Sequence, residues 1–234
     1  MIITENLTKR FGRVVALDGV NLEIPEGASL ILGPNGGGKS TFLKITAGIY
    51  RPTGGKIRVF GLDPWRSEDL KLRMGVSFDP PALPSLITGR EWLELIAEVK
   101  GFDGGEVERV AGLFGIDYLD GRIGNYSSGM RKNLSLAGAF VGGPELVLLD
   151  EPLANMDFDN VRRVVRILRR LRGDTNFVII SHIWKPLYSL VDFVAVLAGG
   201  KLILSGERED VRGEVERLFD YGEDTGENEV LNGD

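Results

Sequence analysis

Nine consecutive residues, Gly33-Pro-Asn-Gly-Gly-Gly38-Lys39-Ser40-Thr41, carry the strongest chemical signal in the chain. A glycine, four residues, then Gly-Lys-Ser is the pattern of a loop that wraps phosphate. Glycines let the backbone curl until successive N–H groups and the start of the next helix donate to phosphate oxygens. Lys39 is placed to reach the β and γ phosphates and the Ser40 hydroxyl to ligate Mg²⁺. Asn35, Gly36, Gly37, Gly38 and Thr41 complete the cradle. With this chain's own residue frequencies such a string is expected by chance about 0.01 times. A nucleotide site follows.

A second group is Leu146-Val-Leu-Leu-Asp150-Glu151-Pro152. An Asp ending a buried strand beside a phosphate loop can hold Mg²⁺, and the adjacent Glu can orient or deprotonate an attacking water. Alone, an apolar run followed by Asp-Glu marks only a strand end, so its meaning depends on the first motif. The single histidine, His182, follows another apolar run, Phe177 to Ile180. That position puts it at the carboxyl edge of a sheet, where a γ-phosphate would lie.

These residues need a scaffold that brings three loops together. Ala28 to Leu32 reads as a short apolar strand entering the glycine loop, with a helix from Lys39 to Ala47 stopped by Gly48. Short, wholly apolar strands separated by helices predict a parallel sheet covered on both faces, with ligands at the strands' carboxyl ends. Before it, Met1 to Leu7, Val14 to Leu17 and Val20 to Ile24 read as strands with a turn at Pro25-Glu26-Gly27. From about Ala82 to Ser135 the β pattern gives way to helices, one opened by the capping box Thr88-Gly-Arg-Glu91 and one over Glu106 to Phe114. A hairpin at Ala198-Gly199-Gly200 closes the core.

Composition bounds the rest. A chain of 234 residues with 43% hydrophobic residues makes one medium domain with a substantial core. Absence of cysteine excludes disulfides, thiolate metal sites and a cysteine nucleophile. No basic leader precedes an apolar stretch and no apolar run approaches the ~18 residues of a membrane span, so a cytosolic or peripherally bound protein is expected. Net charge is −6, concentrated in Gly206 to Asp234, with eleven acidic and three basic residues, which reads as a solvated tail. Six arginines between Val161 and Arg172 share a helix with apolar residues at helical spacing, the pattern of an amphipathic surface helix, and no nucleic-acid partner is expected.

With these motifs in place, the chain from Ile2 to Ser205 resembles the ATP-binding subunits of ABC transporters. Tyr126-Ser127-Ser128-Gly129-Met130, about twenty residues before Asp150, looks like that family's signature loop; Met156-Asp157 matches its D-loop, Ser181-His182 its switch histidine, and Phe11 the aromatic that stacks on adenine. The resemblance implies an α/β P-loop NTPase fold of ABC type. Its core is a mainly parallel sheet with an N-terminal antiparallel β subdomain and an inserted helical subdomain at about 82–135, followed by the acidic tail 206–234. It implies ATP and Mg²⁺ as ligands, Lys39, Glu151 and His182 as catalytic, Ser40, Asp150 and Asp79 on the metal, and Ser127 and Gly129 serving the nucleotide of a second, identical subunit. It also implies a membrane-spanning partner and a location on the inner face of the cell membrane. Read from the residues alone, Ser127 and Asp157 could each simply cap a helix, and Phe11 could be a core aromatic.

Two positions depart from the family pattern. Asp79, in Met74-Gly-Val-Ser-Phe-Asp79, stands where most members have a Gln that contacts Mg²⁺; it is shorter, charged and cannot donate as an amide does. In the signature, Ser128 replaces a glycine and Met130 the final Gln. The chain has no Gln at all, so Asp79 and Met130 can reflect composition alone. A soluble ATPase of the same fold acting on non-membrane partners is the competing function, while a small-molecule P-loop kinase explains neither His182 nor the signature loop.

Overall fold

The computed structural model describes residues 1–154, 156–182 and 184–224. Two sheets form its frame. A three-stranded antiparallel sheet has the order β2-β1-β4, from β1 (Ile2–Phe11), β2 (Val14–Ile24) and β4 (Gly54–Val59). A six-stranded sheet has the order β5-β6-β7-β3-β8-β9, from β3 (Ala28–Leu32), β5 (Met74–Ser77), β6 (Leu146–Asp150), β7 (Asn176–Ile180), β8 (Phe193–Ala198) and β9 (Lys201–Glu207). Its first five strands run parallel and β9 returns antiparallel through the expected Gly199-Gly200 hairpin.

Strands β3 and β6 are buried at every residue, and their side chains alternate between two cores. Leu30, Leu32, Val147, Leu149, Phe177 and Ile179 enter the core shared with the helices, while Ile31, Leu146, Leu148, Val178 and Ile180 enter the one beneath the antiparallel sheet. Covering both faces makes these strands predominantly apolar, with Ser29 and Asp150 the polar exceptions. Each such Leu, Ile or Phe contributes roughly 1.5–3 kcal/mol by burial. Ile180 pairs with Ile31 on one side and Asp150 on the other, so the segments leaving β3, β6 and β7 start at one level.

The helices are α1 (Lys39–Thr46), α2 (Glu68–Leu72), α3 (Gly89–Val99), α4 (Gly104–Phe114), α5 (Ser128–Ala139), α6 (Phe158–Leu171), α7 (Lys185–Tyr188) and α8 (Arg208–Asp224). The capping box at the start of α3 forms as the sequence predicts: the Glu91 N–H donates to Thr88 Oγ1 at 3.1 Å, and Glu91 Oε2 accepts from the Thr88 N–H at 2.7 Å. In α6 Val164, Ile167 and Leu168 face inward and the arginines outward, the amphipathic arrangement expected. Among the described residues no helix is long and apolar enough to cross a membrane.

Two expectations need correction. The first strands are longer than the pattern suggested: Val14 to Ile24 is one strand, with register shifts in its pairing with β1 that absorb Asp18 and Gly19. The acidic stretch from residue 206 is not a solvated tail over its first part. It completes β9 and then forms α8, which buries Val211 and Val215 while Glu209, Asp210 and Glu214 stay exposed. The Tyr188 hydroxyl donates to the Arg208 carbonyl at 2.8 Å and helps dock it. Two valines four apart suffice for a buried stripe, and the excess of charge on the other faces concealed it. The rest of that stretch, 225–234, lies outside the described residues.

Candidate nucleotide site

Gly33 leaves β3 with φ +145°, and a Cβ there would stand 1.8 Å from the Leu197 carbonyl oxygen of β8. Only glycine passes between these strands. Gly38 closes the loop at φ +101° as the N-cap of α1, whose free N–H groups then face the cavity side. Lys39 Nζ donates to the Gly33 and Pro34 carbonyls at 2.6 and 2.9 Å, so the loop is folded around its own lysine. Burial pulls the Lys39 ammonium below its ordinary pKa, opposed by the charges of Glu151 and Asp150.

A cleft of about 450 Å³ lies over this loop. Asn35, Gly36, Gly37, Gly38, Lys39, Ser40 and Thr41 line it, together with Phe11, Asp79, Asp150 and Glu151. The structure therefore brings together the phosphate-loop, Asp-Glu and aromatic residues singled out in the sequence. Phe11 is 43% exposed and packs edge-on against Tyr50 with ring centroids 5.3 Å apart, while the Lys9 ammonium stands 4.9 Å from its ring. It is a cleft-wall aromatic rather than a core one.

Ser40 Oγ donates to Asp150 Oδ1 at 3.2 Å. The other Asp150 oxygen, Oδ2, is buried and has no hydrogen-bond partner among the described residues. Burial pushes the Asp150 carboxyl above its ordinary value, with the Ser40 hydrogen bond opposing. An unpaired buried carboxylate oxygen beside a hydroxyl and above a phosphate loop is the donor set a hard, oxygen-seeking cation takes. These residues fit Mg²⁺.

Glu151 sits at φ +47°, in the left-handed region that side chains other than glycine seldom occupy. Its carboxylate accepts from the His182 N–H at 3.0 and 3.2 Å and from the Ser181 hydroxyl at 3.1 Å, and His182 Nδ1 lies 2.9 Å from Oε2. The histidine thus reaches the cleft through Glu151, and Ser181 is a partner to which the sequence reading gave no role.

Ser127 and Gly129 do not join this cleft. They line a second depression of about 400 Å³ with Tyr118, Asn133, Asp157 and Arg163, and among the described residues none is common to the two. Ser127 caps α5, its Oγ accepting from the Met130 N–H at 3.2 Å, and Asp157 caps α6, its Oδ1 accepting from the Asn160 N–H at 2.9 Å. Both capping readings are realised, and both caps border the same depression.

Asp79 lies on the wall of the first cleft with one oxygen 3.1 Å from Lys132 Nζ. Lys132 is a contributor the sequence reading passed over. It stands in a polar run, Arg131-Lys-Asn133, that looks exposed; only its helical phase with Ser135, Leu136 and Ala139 points it inward.

Comparison with known proteins agrees with this geometry. Residues 17–154 match the family model described as ABC transporter. The chain belongs to the ABC transporter family. It is 34% identical over 211 residues to an uncharacterized ABC transporter ATP-binding protein of Nostoc sp., covering 86% of this chain and 62% of that one. It is 29% identical over 222 residues to a lantibiotic transport ATP-binding protein of Streptococcus pyogenes, covering 94% and 96%. The chain thus spans less than two thirds of the Nostoc relative's length but nearly all of the streptococcal one. Among solved structures, the dimeric post-hydrolysis state of the ATP-binding cassette MJ0796, bound to ADP and Pi, superposes with a TM-score of 0.81 at 22% identity, over 89% of this chain and 99% of that one. At that identity the likeness establishes the fold.

Proposed function

We propose that this ABC-family subunit hydrolyses ATP and couples the cycle to movement of a substrate through a separate membrane-spanning protein. The observation that carries the reading is the pairing of Ser40 with Asp150 over the phosphate loop, with a second Asp150 oxygen left open beside Glu151. ATP would lie with its phosphates along Asn35 to Thr41 and its base against Phe11. Bound Mg²⁺ would polarise the β and γ phosphates, held by Ser40 and Asp150, with Asp79 at the same wall able to accept from a metal-bound water. Lys39 would turn from the loop carbonyls to the phosphates. Glu151, held by Ser181 and the His182 main chain, would position the attacking water and take its proton, with His182 contacting the γ-phosphate.

One chain supplies half of each site in this proposal. Among the described residues the cleft with Lys39 and the depression with Ser127 share none, and a head-to-tail pair of identical chains would bring the depression of one over the cleft of the other. The N-terminal end of α5 would then present its free N–H groups and positive dipole to the partner's γ-phosphate. Asp157 would lie at that same contact.

Co-purification tests the transport reading. The tagged protein is expected to leave detergent-solubilised membranes with a polytopic partner and with Mg²⁺-dependent ATPase activity. Recovery from the soluble fraction alone, bound to soluble proteins, would replace it with the soluble-ATPase reading.

Asp150 provides a further prediction. Its carboxyl is raised by burial, so in the nucleotide-free protein the ionised form is disfavoured and stability falls as pH rises through the raised value. Asp150→Asn removes that charge. It is expected to raise the melting temperature of the nucleotide-free protein at pH 7 by about 2–4 °C, the shift for ~1 kcal/mol in a chain of this length. It is also expected to abolish the part of ATP affinity that depends on Mg²⁺. Differential scanning fluorimetry and binding of a fluorescent ATP analogue, with and without Mg²⁺, measure both.

A further inference from the structure

Three carboxylates, Asp79, Asp150 and Glu151, face one cleft, and a nucleotide would add more negative charge to it. Lys39 stands on the phosphate loop. The cation opposite Asp79 comes from another element, α5, as Lys132, whose side chain is 3% exposed. Its Nζ donates to Asp79 Oδ1 at 3.1 Å, to the Asp150 carbonyl at 2.8 Å and to the Phe78 carbonyl at 3.5 Å. Three N–H donors meet three acceptors, the condition under which a buried ammonium is tolerated.

The placement of those acceptors gives the lysine its meaning. Asp150 ends β6, and Phe78 and Asp79 follow β5, so one ammonium ties together the two segments that deliver carboxylates to the cleft. One turn further along α5, Ser135 Oγ lies 2.8 Å from Ser77 Oγ at the end of β5. The helix is thus fastened to this edge of the cleft at two points on one face. A side chain there only to fill space would be apolar, as Leu134 and Leu136 beside it are.

We propose that Lys132 is a positioning residue for ATP hydrolysis: it holds the Asp79 loop against the main chain of Asp150 and cancels the Asp79 charge where phosphates and metal arrive. The proposal rests on the ATPase reading above. A double-mutant cycle on the full chain tests it, with Lys132→Gln, Asp79→Gln and the two combined. Lys132→Gln is expected to lower kcat about tenfold while KM for ATP and affinity for a fluorescent ATP analogue change less than about threefold, because the uncompensated Asp79 disturbs the reacting groups more than binding. Adding Asp79→Gln removes the stray charge and is expected to raise kcat severalfold above that of Lys132→Gln, so that the two losses are not additive. In the nucleotide-free protein the melting temperature of the double variant is expected to fall by less than the sum of the two singles.

Additive losses in both readouts, or an unchanged kcat in Lys132→Gln, would overturn the proposal. If Lys132→Gln alone does not fold, a soluble and active double variant is the same rescue in another form, and an insoluble double variant counts against it. If the wild-type protein shows no ATP turnover, the ATPase reading fails by itself, and the melting cycle still decides whether Lys132 and Asp79 act as a pair.

Discussion

Glu151→Gln is expected to keep ATP affinity within about threefold of wild type and to slow turnover by about 10²-fold or more, the size of effect carried by a positioned general base. Glutamine keeps the length of the side chain and an oxygen that can accept from the His182 N–H, as Glu151 Oε1 does at 3.0 Å. It cannot take a proton from water. Since Glu151 lies on the cleft wall but outside the phosphate loop, the binding contacts of Gly36 to Thr41 are untouched. If ATP draws two chains together, the variant should remain paired, eluting as a dimer with ATP and Mg²⁺ and as a monomer without. Steady-state phosphate release and size-exclusion chromatography read the two outcomes. Turnover at the wild-type rate would remove Glu151 from the reaction.

Gly33→Ala is expected to damage the fold itself. The added Cβ would stand 1.8 Å from the Leu197 carbonyl oxygen, which belongs to the β8 main chain and cannot swing away, and φ is +145°. A steric clash with a central strand plus an unfavourable backbone costs about 3–5 kcal/mol. In a chain of this length that lowers the melting temperature by about 10 °C or makes the protein insoluble. Gly36→Ala is the internal control: its φ of +77° is also positive, but nothing among the described residues lies within 4 Å of its Cβ position. It should lower the melting temperature by only a few degrees, about 1–2 kcal/mol. Equal effects of the two substitutions would show that backbone conformation, not the approach of β8, makes Gly33 necessary.

How far the sequence could be read depended on the range of the interaction. Ala28 to Leu32, Leu146 to Leu149 and Phe177 to Ile180 were legible because a strand buried on both faces is almost wholly apolar, Ser29 being the exception, and is followed closely by its polar cargo. The capping box at Thr88 was legible because both partners lie within four residues. Short strands with weaker patterns were not: β4 is mostly exposed along Gly54-Gly-Lys56, and β5 has only four residues. Lys132 was hidden because its partners are 53 and 18 residues away and its neighbours are polar. Glycine makes up 32 of the 234 residues, about twice its usual share, and sixteen glycines of the described residues have positive φ, most of them outside the phosphate loop.

The backbone at Glu151 adds a last consequence. At φ +47° a glycine would be the comfortable residue, and glycine has nothing with which to touch water. If Glu151 acts on water as proposed, improving this chain for durability and improving it as a catalyst pull in opposite directions at one position. Screens that reward only heat resistance would tend to drift toward proteins that last longer and do less.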